Sequence, residues 1–289
     1  MGYYALILVS VVMFGGCFAL NDAFRQRCGG TLRVSLYYTF FSTLAGLFVL
    51  LAVNSFRFEF TPFTLLMAAL ASANGIGFSF CSFKALSKIN LSLYSLFSML
   101  GGMLLPFVFG ILCYGEGMTV AKGVCIVVLT AALAVTVEKS DKKKNSGWIY
   151  YIGIFTLNGM SGVLTQIFTK APYVKTSAAG YSILSATVTV LLTGCISLFF
   201  AIRQGRLRIS KSAYLIGAAS GITSRVANYF LVIALAFVHG SVQYPMVTGG
   251  TIIVSTAICF FGKSKPSRRE LVSVALAFLG VLALVLIPI

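Results

Sequence analysis

Residues 91 to 116 read Leu91-Ser-Leu-Tyr94-Ser-Leu-Phe-Ser98-Met-Leu-Gly101-Gly102-Met-Leu-Leu-Pro106-Phe-Val-Phe-Gly110-Ile-Leu-Cys113-Tyr-Gly115-Glu116. A run this long and this apolar is a bilayer-crossing helix, since about 20 residues at about 1.5 Å each span about 30 Å of hydrocarbon. The plan returns from Ser241 to Lys263: an apolar helix, a central glycine pair (Gly249-Gly250 for Gly101-Gly102), and a terminal glycine followed by one charge, Gly262-Lys263 for Gly115-Glu116. One membrane span occurring twice in corresponding places points to a duplicated bundle.

The composition agrees. Hydrophobic residues make up 58% of the 289, charged residues 10%, and the mean hydropathy is +0.97, too little polarity to cover a surface in water. The formal charge of +16 does not indicate nucleic acid, because the Lys and Arg sit in short gaps between apolar runs and not on one soluble face. Seven Cys, at 17, 28, 81, 113, 125, 195 and 259, form no C-x-x-C pair, and His239 is the only histidine. Neither a disulfide framework nor a metal site is indicated. The apolar segment from Tyr3 follows no basic region and precedes no small-residue cleavage site, so it reads as a retained first span.

The expected architecture is all-α and integral to the membrane, with ten transmembrane helices over 4–21, 34–54, 63–84, 91–113, 119–137, 148–168, 177–201, 213–237, 241–261 and 271–288. Barrel strands would be half that length and alternating. The polar segment 138–147, with four lysines, separates a first repeat (1–137) from a second (148–289) and reads as a cytoplasmic anchor. With Lys122 assigned to the fourth gap, the odd-numbered gaps hold 17 Lys and Arg and the even-numbered gaps four. By the positive-inside rule the basic odd gaps face the cytoplasm and both termini lie outside.

The halves align. Gly15, Leu20 and Phe24 recur as Gly159, Leu164 and Phe168 at an offset of 144; Ala73-Asn74-Gly75-Ile76 matches Ala219-Ser220-Gly221-Ile222 at 146; the glycine pairs match at 148. Five spans per half is odd, so the second half enters the membrane in the opposite sense. That is an inverted repeat, the arrangement that exposes one central site alternately to each side.

The five-plus-five layout, the Gly115-Glu116 ending of the fourth span and the glycine-containing fifth span resemble the drug/metabolite transporter superfamily, in particular its EamA-like members, over essentially the whole chain. Lys263 stands where the second acidic residue is expected, so Glu116 is not assigned a transport role. Members commonly keep both termini in the cytoplasm, the reverse of the charge count. The resemblance implies a secondary carrier in the inner or plasma membrane, acting as an exporter of a small organic metabolite.

Arg225 is the clearest functional signal. It falls near the middle of the eighth span, where a charge costs about 2.5–3.5 kcal/mol on insertion scales, with Asn228 on the same face. One reading is a forked hydrogen bond to an anionic solute; the other is a structural arginine on backbone carbonyls. At offset 146 these positions are Ser79 and Ser82, so the site is asymmetric within a symmetric fold. The six acidic residues, Asp22, Glu59, Glu116, Glu138, Asp141 and Glu270, all fall at helix ends or in gaps, leaving no carboxylate for cation/proton exchange.

In the ninth span, Tyr244, Thr248, Thr251 and Ser255 share one face, with Gln243 beside it. The threonines read as packing groups, whereas Gln243 and Tyr244 are long enough to reach a cavity. Tyr94, Asn74 and Asn158 are further candidates. The cavity is expected between spans one, three, four, six, eight and nine, holding an amino-acid-like, anionic or zwitterionic solute. Two alternatives stand beside this: a broad exporter of amphipathic drugs using the Phe and Met surface, and a non-transporting scaffold or receptor. The expected partners are a small-molecule substrate and the lipid bilayer, with the chain a monomer or a homodimer. No cofactor and no enzymatic activity are expected.

Overall fold

A computed structural model describes residues 2–88, 91–115, 148–205, 209–238, 240–261 and 268–286, with 119–120, 123–124, 127–128, 131–132 and 207. Nine helices are delineated among these residues: α1 Gly2–Cys28, α2 Leu32–Val53, α3 Pro62–Leu86, α4 Leu91–Tyr114, α5 Trp148–Lys170, α6 Ala178–Gln204, α7 Lys211–Leu235, α8 Gly240–Phe261 and α9 Arg268–Leu286. The expected count was ten. Most of the fifth span lies outside the described residues, and those described between Val120 and Ala132 are helical. Glu116, Lys122, the segment 138–147, His239 and Lys263 also lie outside them.

Local chemistry sets the helix ends. Thr31, Thr61, Ser177 and Ser210 each cap a helix by accepting the N–H three residues on, and Pro62 follows Thr61 at the first helical position, where its missing N–H costs nothing. Gly29 and Gly205, at φ of 89° and 77°, end α1 and α6 in the left-handed region. α1 runs seven residues beyond its expected end, where Arg25 pairs with Asp22 at 2.8 Å.

Seven of these helices, α1 to α7, contain stretches long and apolar enough to cross a membrane. Their polarity is inverted relative to a protein in water. Leu112 and Ile202, each 77% exposed, face outward, while Ser10, Thr64, Ser82, Ser98 and Thr193 are fully buried. Hydroxyls inside and alkyl chains outside is the arrangement lipid favours, because interior hydroxyls then bond to neighbouring helices. On Thr189 the hydroxyl donates to Ser72 Oγ at 2.9 Å, and Ser72 reaches the Ser185 carbonyl at 3.1 Å, joining α3 to α6.

Among the described residues, the helices before segment 138–147 pack mainly on those after it. Helix α1 lies against α7 and α8, while α5 lies against α3 and α4. Helix α2 packs on α7 and α6 on α3, with α2 against α6 and α4 against α8 between them. Close crossings rest on glycine. A Cβ on Gly221 would overlap the Ser42 backbone, one on Gly101 the Phe155 backbone, and one on Gly15 the Val254 side chain.

Candidate functional site

A cavity of about 350 Å³ opens at the centre of the bundle, within the range of small-molecule sites. Eight helices line it, α1 to α8. The expected set lacked α2 and α6, the second and seventh spans, and these add Tyr38, Thr39, Thr43, Tyr181, Ser185 and Thr189. Their signal in the sequence is a hydroxyl stripe: Ser35, Thr39 and Thr43 on α2, and Ser185, Thr189, Thr193 and Ser197 on α6, recur every four residues in otherwise apolar helices.

Arg225 lines the cavity from α7 and is half-buried. Its stem fills the space left by Gly46, where any Cβ would collide with the Arg225 chain, and its guanidinium donates to Thr43 Oγ1 at 3.3 Å. The close approach of α2 and α7 at Gly221 brings Thr43 within reach. Among the described residues the one ion pair is Arg25–Asp22, and no carboxylate lies against Arg225. Asp22 also accepts from Gln26 at 2.7 Å, and Glu59 accepts from Ser177 on the rim of the bundle.

Six of the seven predicted contact residues line the cavity: Arg225, Asn228, Gln243, Tyr244, Tyr94 and Asn158. Asn228 is exposed there and donates Nδ2–H to the Ser224 carbonyl at 2.8 Å. Gln243 is 2% exposed and donates to the Leu231 carbonyl at 2.9 Å, leaving Oε1 without a hydrogen-bond partner. The Tyr244 hydroxyl donates to the Gly162 carbonyl at 3.3 Å, and Asn158 donates to the Ser98 carbonyl at 2.6 Å. Tyr94 is fully buried and hydrogen-bonded to Ser82.

Asn74 is not among the lining residues. Its Nδ2–H donates to the Leu157 carbonyl at 2.8 Å, which ties α3 to α5. On α8, Thr248 reaches the cavity, whereas Thr251 and Ser255 are buried in helix packing. Lys170 lies over the Tyr114 ring at 4.4 Å, as a lysine at a helix end does when it leans toward the interface.

No family model and no curated protein matches the sequence. The chain does resemble a solved structure described only as the crystal structure of a protein, with a TM-score of 0.67 over 99% of this chain and 97% of that one, at 16% identity. That likeness covers the fold from end to end and carries nothing about activity.

Proposed function

We propose that the chain is a secondary membrane carrier that moves a small organic metabolite with a negative charge, by alternating access through the central cavity. The observation that carries this reading is Arg225: a half-buried guanidinium on a cavity of about 350 Å³ at mid-bundle, with no carboxylate against it among the described residues. A charge held there against its desolvation cost is explained by an anion that completes it. Thr43 takes one N–H and leaves most of the guanidinium donors for a ligand.

The interlocked halves support an inverted repeat. Exchanging α1–α4 for α5–α8 turns the contact of α1 with α7 into that of α5 with α3, and the contact of α4 with α5 into that of α8 with α1. The glycine pairs obey the same exchange, since Gly102 meets Asn158 of α5 and its counterpart Gly250 meets Val11 of α1. Two halves related in this way have two equivalent ways of closing on the cavity, which is the mechanical requirement for alternating access. The drug/metabolite transporter resemblance is consistent with this and is part of the proposal.

Thermal unfolding of the purified protein against a metabolite collection tests the reading. Organic acids are expected to raise Tm, by about 2.7 kcal/mol of added stability at a hundredfold excess over Kd. Arg225→Gln is expected to abolish the rise. Ligands that act equally on the variant would reject Arg225 as the anion contact.

A further inference from the structure

A groove of about 340 Å³, separate from the central cavity, lies between α2, α6 and the start of α7. Tyr37, Phe40 and Phe41 form its α2 wall, Leu198 and Ala201 its α6 wall, and Tyr214 closes the α7 end with its ring edge-on to Phe41 at 4.9 Å. Gly194 is the floor, where a Cβ would come within 2.9 Å of the Phe40 ring. Leu198 is 62% exposed, so the groove is open to the hydrocarbon that surrounds the bundle. One group on this apolar wall is out of keeping. Ser197 is 5% exposed, and its hydroxyl has no hydrogen-bond partner. Thr189 and Thr193, on the same stripe of α6, each donate to the carbonyl four residues back, which Ser197 does not. A buried hydroxyl left in this way costs free energy until an acceptor reaches it.

The end of the groove is cationic. Arg33, one turn before Tyr37 on the same side of α2, donates to the carbonyls of Gln204 and Gly205, which puts the connections after α1 and after α6 on one face of the bundle. The sequence around them, residues 22–36 and 202–214, has six Arg and one Lys against a single acid, Asp22, which Arg25 engages. Lys211 is exposed in the first turn of α7, one turn before Tyr214. Ser210 accepts the Ala213 N–H, which leaves those of Lys211 and Ser212 for a ligand at the positive end of the helix. We propose that the groove binds one anionic phospholipid of the surrounding bilayer. Its phosphate sits at Lys211 and the start of α7, beside the charge of Arg33; a glycerol ester carbonyl accepts from Ser197; an acyl chain lies between Leu198 and the α2 rings. A free fatty acid brings a charge and a chain with no acceptor between them, and would leave Ser197, about 10 Å from Gln204 along α6, without a partner. This rests on the membrane-spanning reading and is independent of any solute at Arg225.

Leu198→Trp with Trp148→Phe puts the chain's one indole at the mouth of the groove, at a position exposed enough to accept it. The full chain is reconstituted in phosphatidylcholine vesicles containing a minor fraction of phosphatidylglycerol with brominated acyl chains, which quench an indole they touch. Quenching is expected at about fivefold lower lipid fraction than with the same brominated chains on phosphatidylcholine, and Lys211→Gln is expected to remove that preference. Unbrominated diester phosphatidylglycerol is expected to displace the quencher about fivefold better than its diether analogue, with the two made equal by Ser197→Ala. Equal quenching by the two headgroups, equal displacement by diester and diether with Ser197 in place, or quenching by brominated oleate as strong as by phosphatidylglycerol would each overturn the proposal.

Discussion

Gly15 and Gly16 are neighbours in sequence and opposites in structure. A Cβ on Gly15 would run into Val254 of α8, while one on Gly16 would meet nothing within 4 Å. Gly15→Ala is therefore expected to destabilise by about 1–3 kcal/mol through forced separation of α1 and α8. Gly16→Ala is expected to be neutral or to stabilise by up to about 1 kcal/mol, since alanine loses less backbone entropy in a helix. Thermal unfolding of the two variants checks this, and equal effects would contradict the packing of α1 on α8. The repeat singled out Gly15 by matching it to Gly159, but spacing alone does not say which glycine faces a partner. Arg225 was legible at the same scale because a charge amid apolar residues demands a reason. Asn74 was not, because an amide that ties two helices and one that touches a solute look alike in sequence.

At the scale of the element, α6 is held at both ends by charges from the first half. The Glu59 carboxylate accepts from the Ser177 N–H at 2.7 Å and the Ser177 hydroxyl at 2.8 Å, at the positive end of the helix dipole. At the other end Arg33 donates to the carbonyls of Gln204 and Gly205. Glu59→Ala is expected to cost about 1 kcal/mol, as the loss of a helix N-terminal anion and cap contact does, and to lower Tm measurably. An unchanged Tm would mean that α6 owes nothing to this contact. Threonine or serine precedes each of four helices, a capping signal that hydropathy does not register. The extension of α1 was not legible, because Asp22, Arg25 and Gln26 look like a gap until their side chains are seen satisfying one another. The part of α2 and α6 in the cavity lay in a hydroxyl stripe that resembles ordinary helix packing, and only their mutual contact brings it inward.

For the molecule as a whole, the sequence yielded an all-helical chain with helices long and apolar enough to cross a membrane, and hydropathy was sufficient because lipid admits few spanning structures. It did not reveal that, among the described residues, the helices before segment 138–147 pack mostly on those after it. That packing places residues from eight helices around one cavity and puts Arg225 of the second half over Gly46 and Thr43 of the first. It also makes the account testable without knowing the solute. With Cys17 and the other native cysteines replaced, Asn228→Cys puts a single thiol beside Arg225 in the cavity. Its modification by impermeant thiosulfonates of opposite charge, applied in turn to each face of the membrane, measures access and local potential together. The account predicts labelling from both faces, faster with the anionic sulfonate than with the cationic trimethylammonium reagent, and loss of that preference in Arg225→Gln. Labelling from neither face, or rates indifferent to reagent charge and to Arg225, would contradict it.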